Sequence, residues 1–363
     1  MQAQLLWDDK IMKDDLINDL ATTISDYREG EITPPDNAHV ERWINQFELH
    51  EHIPILQEMN HILSKSYFSK ERTEDFISGL VTNEKLTAND PTDYWSKVGI
   101  LNIQQGTSQS QDDLVNLLSN KVGEELGFEL NFESSNNNEY IYIDDGLYSG
   151  GQIIRDIKTW LENNTVSNIV INFICMSMHT AGIHRLGLNC GNILNRIKVE
   201  RGISFKFWRF KQIDNWRNNK SLVSNETLWP TEIPNCDYYD NWLDSNPDNE
   251  EFIGLRSNDN VTGNGFFFSA DTRNILEQAF LSKGAFIYSL PNDPNLKMRP
   301  LGYDALKGFG FGTITATYRN CPNNTPLVLW WGDVNAGRPL NHWHPLLPRR
   351  TRDNYININL DDF

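Results

Sequence analysis

The stretch Tyr140-Ile141-Tyr142-Ile143-Asp144-Asp145-Gly146-Leu147-Tyr148-Ser149-Gly150-Gly151-Gln152 reads as a strand, a loop and the start of a helix. Where a strand turns sharply into a helix, the first helical N–H groups have no partners within the helix, and an anionic phosphate satisfies them. Gly150 and Gly151 let the backbone approach a ligand closely and adopt positive φ, while Ser149 adds a hydroxyl donor. Asp144 and Asp145 would repel a phosphate, so they need another purpose. At the end of the strand they are placed to accept hydrogen bonds from ribose hydroxyls or to hold Mg²⁺ through water. A plainer reading of the same residues is a turn with Ser149 as a helix cap. The order of strand, acids, gap, Ser-Gly-Gly and amphipathic helix favours the ligand loop, with Tyr148, Ser149, Gly150, Gly151 and Gln152 as its binding residues.

Outward from that loop the chain alternates between strand and helix patterns. Upstream lie an apolar run Val98 to Ile103 and a helical pattern from Asp112 to Leu126; downstream, a helix from Gly150 to Leu161 and a strand from Asn168 to Met176. Strands separated by helices imply crossover connections and a mainly parallel α/β sheet with both faces covered. Two further strand exits are candidates for ligand contact, because such sheets bind at the carboxyl ends of their strands. The first is Gln104 to Ser110, with Gly106, Thr107 and Ser108 as donors, or an ordinary turn. The second is Met178 to Arg185, where His179 is a candidate acid or base and Arg185 a candidate phosphate ligand. A core or surface role is the alternative for His179.

Residues His39 to Val81 show helical spacing, with Asp36 and Asn37 as start signals after Pro34-Pro35. Asn215 to Asn264 is polar and Asn-rich, yet carries Trp216, Trp229, Tyr238, Tyr239 and Trp242, too much aromatic area for a free linker. A helix from Ser269 to Ser282 is expected, with Ser269 as cap and Gly284 as stop. Ala285 to Leu290, Gly310 to Tyr318 and Leu327 to Trp331 read as strands. The expected organisation is therefore a helical region over 1–90, the α/β core over 91–210, and an insertion with a β-containing extension over 211–363.

The 363 residues carry 32 Lys and Arg against 49 Asp and Glu, a formal charge of -17. Such a balance excludes a broad electrostatic grip on nucleic acid, and direct nucleic-acid binding is expected to be weak and local. Arg349, Arg350 and Arg352 near the C-terminus are one local candidate, or a solvated basic tail. The four cysteines form no C-x-x-C pair and indicate neither a zinc site nor a disulfide framework. Acidic Asp8 and Asp9 stand where a signal peptide would be basic, and no apolar run approaches bilayer length, so a cytoplasmic protein without a membrane contact is expected.

The Tyr140–Gln152 order resembles the phosphoribosyl diphosphate (PRPP) motif of type I phosphoribosyltransferases: hydrophobic residues, two acids, a short gap, then Thr/Ser-Gly-Gly. The resemblance implies that Asp144 and Asp145 contact the ribose hydroxyls, that Tyr148 through Gln152 hold the 5-phosphate, and that Gly106, Thr107 and Ser108 belong to a pyrophosphate loop. It also implies Mg²⁺ as cofactor. Gln152 departs from the family, standing where Thr is usual.

Further blocks resemble the phosphoribosyltransferase-like proteins of bacterial conflict and anti-phage systems, some of which accompany retrons. They are Arg42 to Phe47, Leu228-Trp229-Pro230, Asp271 to Glu277, Gly308 to Gly312 and Tyr318 to Pro326. That resemblance implies a toxin-antitoxin or retron-type effector binding PRPP or a nucleotide, partnered by a reverse transcriptase with its non-coding RNA or by a DNA-binding subunit. A catalytically silent nucleotide sensor, or a structural subunit of a defence complex, is the alternative. Asn320 to Pro326 reads as a rigid, hydrogen-bond-rich turn that fixes backbone geometry or, alternatively, forms a hood over the site with Arg319 and the Trp330-Trp331 pair near it; Arg273, Glu277 and Arg299 have the same status, and buried ion pairing within the fold would explain them equally well.

Overall fold

The computed structural model describes residues 2–104, 110–130, 138–188, 192–214, 226–246, 254–256, 265–295, 297–303 and 308–349. Among them are the strands β1 (Tyr67–Phe68), β2 (Gly99–Ile100), β3 (Glu139–Leu147), β4 (Val170–His179), β5 (Ser204–Ile213) and β6 (Ala316–Thr317). The chain forms two compact units. Among the described residues one is continuous, Lys70–Gln212; the other combines the residues up to Ser69 with 213–349. The divisions expected from sequence lay at 90 and 210.

The continuous unit holds a four-stranded sheet in the order β2-β3-β4-β5. The β2–β3 and β3–β4 pairs are parallel, as the alternation of strands and helices requires, and the class is α/β. Helix Gly151–Asn163 joins β3 to β4, and Ile153, Ile157 and Leu161 on its inner face pack with Tyr140, Tyr142, Ile171 and Phe173 in one core. Full burial of each of these aliphatic side chains stabilises the layer by roughly 2 kcal/mol. β3 runs four residues beyond the expected strand Tyr140 to Ile143: pairing with β4 continues through Asp144↔Cys175, Gly146↔Ser177 and Leu147↔Met178. The acids thus sit inside the ladder rather than after it, because β4 extends to His179 and offers a backbone partner that far.

The other unit is mainly helical. Helix Asn37–Ile44 starts at Asp36, whose carboxylate accepts the His39 N–H at 2.8 Å, and helix Ala270–Ser289 starts at Ser269, whose hydroxyl accepts the Thr272 N–H. Both caps agree with the sequence reading. Trp43 and Trp343 each donate an indole N–H to the Val328 carbonyl at 3.0 Å, tying the early helices to the late chain.

Two strand expectations fail in this unit and a third holds in part. Ala285 to Leu290 continues helix Ala270–Ser289, because Gly284 does not end it: a Cβ there would meet the Pro300 carbonyl at 2.5 Å, so glycine serves close packing. Leu327 to Trp331 contains the short helix Leu327–Trp330, its first residue preceded by Pro326. Gly310 to Tyr318 is strand only in part: β6 pairs in parallel with β1, and Thr313 forms an isolated antiparallel bridge with Thr227. Trp330 donates to the Thr325 carbonyl at 2.7 Å within its own unit, and Arg319 is buried. Among the described residues no helix is long and apolar enough to cross a membrane.

Candidate functional site at the β3 exit

Alternation along β3 sends Asp144 to the face that carries Tyr142 and sends Asp145 to the opposite face. Asp144 is half-buried, and both of its oxygens meet donors from the chain. Oδ1 accepts the N–H of Asp145 at 2.8 Å, and Oδ2 accepts the Gln104 carboxamide at 2.9 Å. Burial, followed by the neighbouring charge of Asp145, pushes the carboxyl of Asp144 up to about 7; Asp156 adds to this, and the two hydrogen bonds oppose it. Among the described residues no ion pair joins Asp144 to a cation. Beside it, burial raises the Cys175 thiol well above its ordinary range, so Cys175 is a neutral wall rather than a nucleophile.

The turn that follows is built on glycine. Gly150 has φ 72° and caps helix Gly151–Asn163 without a side-chain hydrogen bond of its own, and the Gly151 N–H donates to Ser149 Oγ at 3.4 Å. Tyr148 folds back over Gly146, where a Cβ would collide with its ring, and shares a 2.7 Å hydrogen bond with Ser177. The Tyr148 side chain is therefore spent on shaping the loop. Gly182, in helix Thr180–Leu188, packs directly on the Tyr148 carbonyl with no room for a Cβ. Arg185, exposed on the same helix, donates to the Ser149 carbonyl at 3.1 Å and so places a cation at the rim of the turn. Gln152 is exposed in the first helical turn.

His179 ends β4 fully buried, and its Nδ1 accepts the Ala181 N–H at 3.0 Å. That bond leaves Nε2 as the protonated nitrogen of the neutral ring, which suits a donor better than a base. Gly106, Thr107 and Ser108 lie outside the described residues. The segment leading to them is described: Gln104 reaches both Asp144 and, at 3.3 Å, the Tyr142 hydroxyl. Tyr142 in turn donates to buried Asp156 at 2.9 Å.

Tyr142, Asp156 and Gln111 were not singled out from the sequence as site residues. The only available signal for Asp156 was its helical position six residues after Gly150, on the apolar face with Ile153 and Ile157. No group of three or more His, Cys, Asp or Glu side chains forms a metal cage among the described residues. Asp144 is the carboxylate at the turn that offers oxygen ligation, the hard donor that Mg²⁺ takes alongside water and substrate phosphate.

The parallel sheet with acids and a glycine turn at one strand exit defines a phosphoribosyltransferase-like α/β protein. Residues 40–349 match the model of the PRTase-CE family, and the chain belongs to that family. The matched span includes residues of both compact units, so the helical unit belongs to the family's pattern as much as the sheet does. No curated protein matches the chain.

Proposed function

We propose that the β3 exit binds PRPP or a nucleotide and that the protein acts on the C1 bond of the ribose. The observation that carries this reading is Asp144, a carboxylate whose burial and like-charged neighbours disfavour its ionised form, set beside a helix start capped only by glycine. Perturbation of that kind concentrates at functional sites. In this reading Asp144 meets a ribose hydroxyl or a metal-bound water, and Gly151, Gln152 and their neighbouring amides receive the 5-phosphate. Arg185 adds positive charge at the loop, and Asp145 acts from the far side of the strand through its charge. Mg²⁺, when bound, would neutralise the diphosphate. The C1–O bond would break with the electron pair leaving on pyrophosphate, and the acceptor would form the new bond to C1. Positioned donors rather than a covalent nucleophile would then carry the catalysis.

The resemblance of the blocks around Arg42, Trp229, Arg273 and Tyr318 supports a place for this chemistry in a cytoplasmic anti-phage effector of toxin-antitoxin or retron type. Its partners would be a reverse transcriptase with its RNA or a DNA-binding subunit. The test is metabolite profiling of cells expressing the wild type beside Asp144→Asn. Consumption of one nucleotide or of PRPP by the wild type alone is expected; identical profiles would remove the enzymatic reading. A second reading, a sensor that binds without turnover, draws on His179, whose Nδ1 is already engaged. Ligand binding without any consumed metabolite would favour it.

A further inference from the structure

The geometry points to Gln104, held by Gln111, as a positioning residue that aims the Asp144 carboxylate at its ligand. This deepens the reading above and rests on it for the identity of that ligand. β2 and β3 pair only at Gly99↔Tyr140 and Ile100↔Ile141, with one further bond from Leu101 N–H to the Ile141 carbonyl at 2.8 Å. Beyond that point a side chain replaces the ladder. Gln111, in helix Ser110–Leu126 and 1% exposed, accepts the N–H groups of Ile103 and Gln104, each at 2.8 Å, and donates to the Ile143 carbonyl at 3.2 Å. One buried carboxamide therefore fixes the backbone of Gln104 beside the residue that precedes Asp144. Burying such a group is favourable only while its partners are present.

The result is a defined height for the Gln104 side chain. Among the described residues its amide nitrogen, with two hydrogens, donates to the Asp144 carboxylate and to the Tyr142 oxygen, and Tyr142's own hydrogen is committed to Asp156. With Asp145 N–H on the other oxygen, the Asp144 carboxylate has a donor on each side and its plane is set. Each oxygen keeps acceptor capacity for a ribose hydroxyl or a hydrated cation. A ligand thus meets a carboxylate that is already oriented, and orientation lowers the entropic cost of binding.

The test compares the full-length wild type with Gln104→Leu and Gln111→Leu. Mg²⁺-PRPP is titrated by calorimetry across neutral pH, and the Asp144 carboxyl is followed by carbon NMR, with Asp144→Asn assigning its signal. Gln104→Leu is expected to bind about tenfold more weakly, the scale of one hydrogen bond to a charged acceptor. Its Asp144 should titrate at higher pH, because a donor to the charged form is gone, and the pH midpoint of binding should rise with it. Gln111→Leu should move both readouts in the same direction. Unchanged affinity and an unchanged Asp144 titration in Gln104→Leu would overturn the proposal even if Gln111→Leu fails to fold. Should the wild type not bind PRPP, the functional reading fails separately, while the titration still decides whether Gln104 controls Asp144.

Discussion

Two groups of buried charge, one in each unit, are built on opposite plans. In the helical unit Glu277 is fully buried between Arg273 at 2.8 Å and Arg256 at 2.9 Å, and it also accepts the Trp229 N–H. Arg256 donates to the Trp229 carbonyl, and Arg273 donates to the Thr227 carbonyl while lying 3.8 Å over the Phe267 ring. Every member has an opposite charge or a dipole of the protein's own. In the sheet unit Asp144 has Asp145 and Asp156 for neighbours, both of its own sign, and only neutral donors on its oxygens. The first cluster is complete as it stands and reads as structure. Among the described residues the second offers Asp144 no opposite charge, and in the reading proposed above a ligand with its cation supplies one.

The largest effect should come from breaking the complete cluster. Glu277→Ala leaves two buried guanidinium groups without their counter-charge and should cost about 3–5 kcal/mol in chemical denaturation. A cost under 1 kcal/mol would erase the contrast. Gly182→Ala is next. It drives a Cβ into the Tyr148 carbonyl and should destabilise the sheet unit by about 1–3 kcal/mol as the turn moves, measured against Gly79→Ala, where nothing lies within 4 Å.

The incomplete cluster should respond with the opposite sign. Because the folded Asp144 holds its proton up to about 7, above the ordinary value of about 3.9, its contribution to stability is fully present at low pH. That contribution is lost as pH rises through about 7. Asp144→Asn, which cannot ionise, should therefore stabilise the protein at alkaline pH by roughly 1–2 kcal/mol after screening of a half-buried group is allowed for. The gain should fade toward acid pH. Stability that rises on removal of a site residue is the mark of a group kept for function.

The sequence carried the site's outline because its signals are local. The alternation Tyr140 to Ile143, the acids and Gly150-Gly151 lie within one strand-to-helix turn, and the caps Asp36 and Ser269 act within three residues. The length of β3 was not legible, since it depends on how far β4 runs beside it. Gln111 and Gln104 look like ordinary polar residues until the helix brings one beside Ile143 and the strand exit brings the other beside Asp144. Gly284 carried an ambiguous signal, because glycine marks both helix ends and close packing, and only Pro300 decides between them. Short apolar runs such as Leu327 to Trp330 fit either strand or helix by pattern alone.

Calorimetric titration of Mg²⁺-PRPP into the wild type and into Asp144→Asn tests the central claim most directly. The account predicts saturable binding that weakens as the solution is acidified through about pH 7 and is lost in the variant, despite the variant's greater alkaline stability. Equal heats from both proteins, or none from either at millimolar ligand, would contradict it.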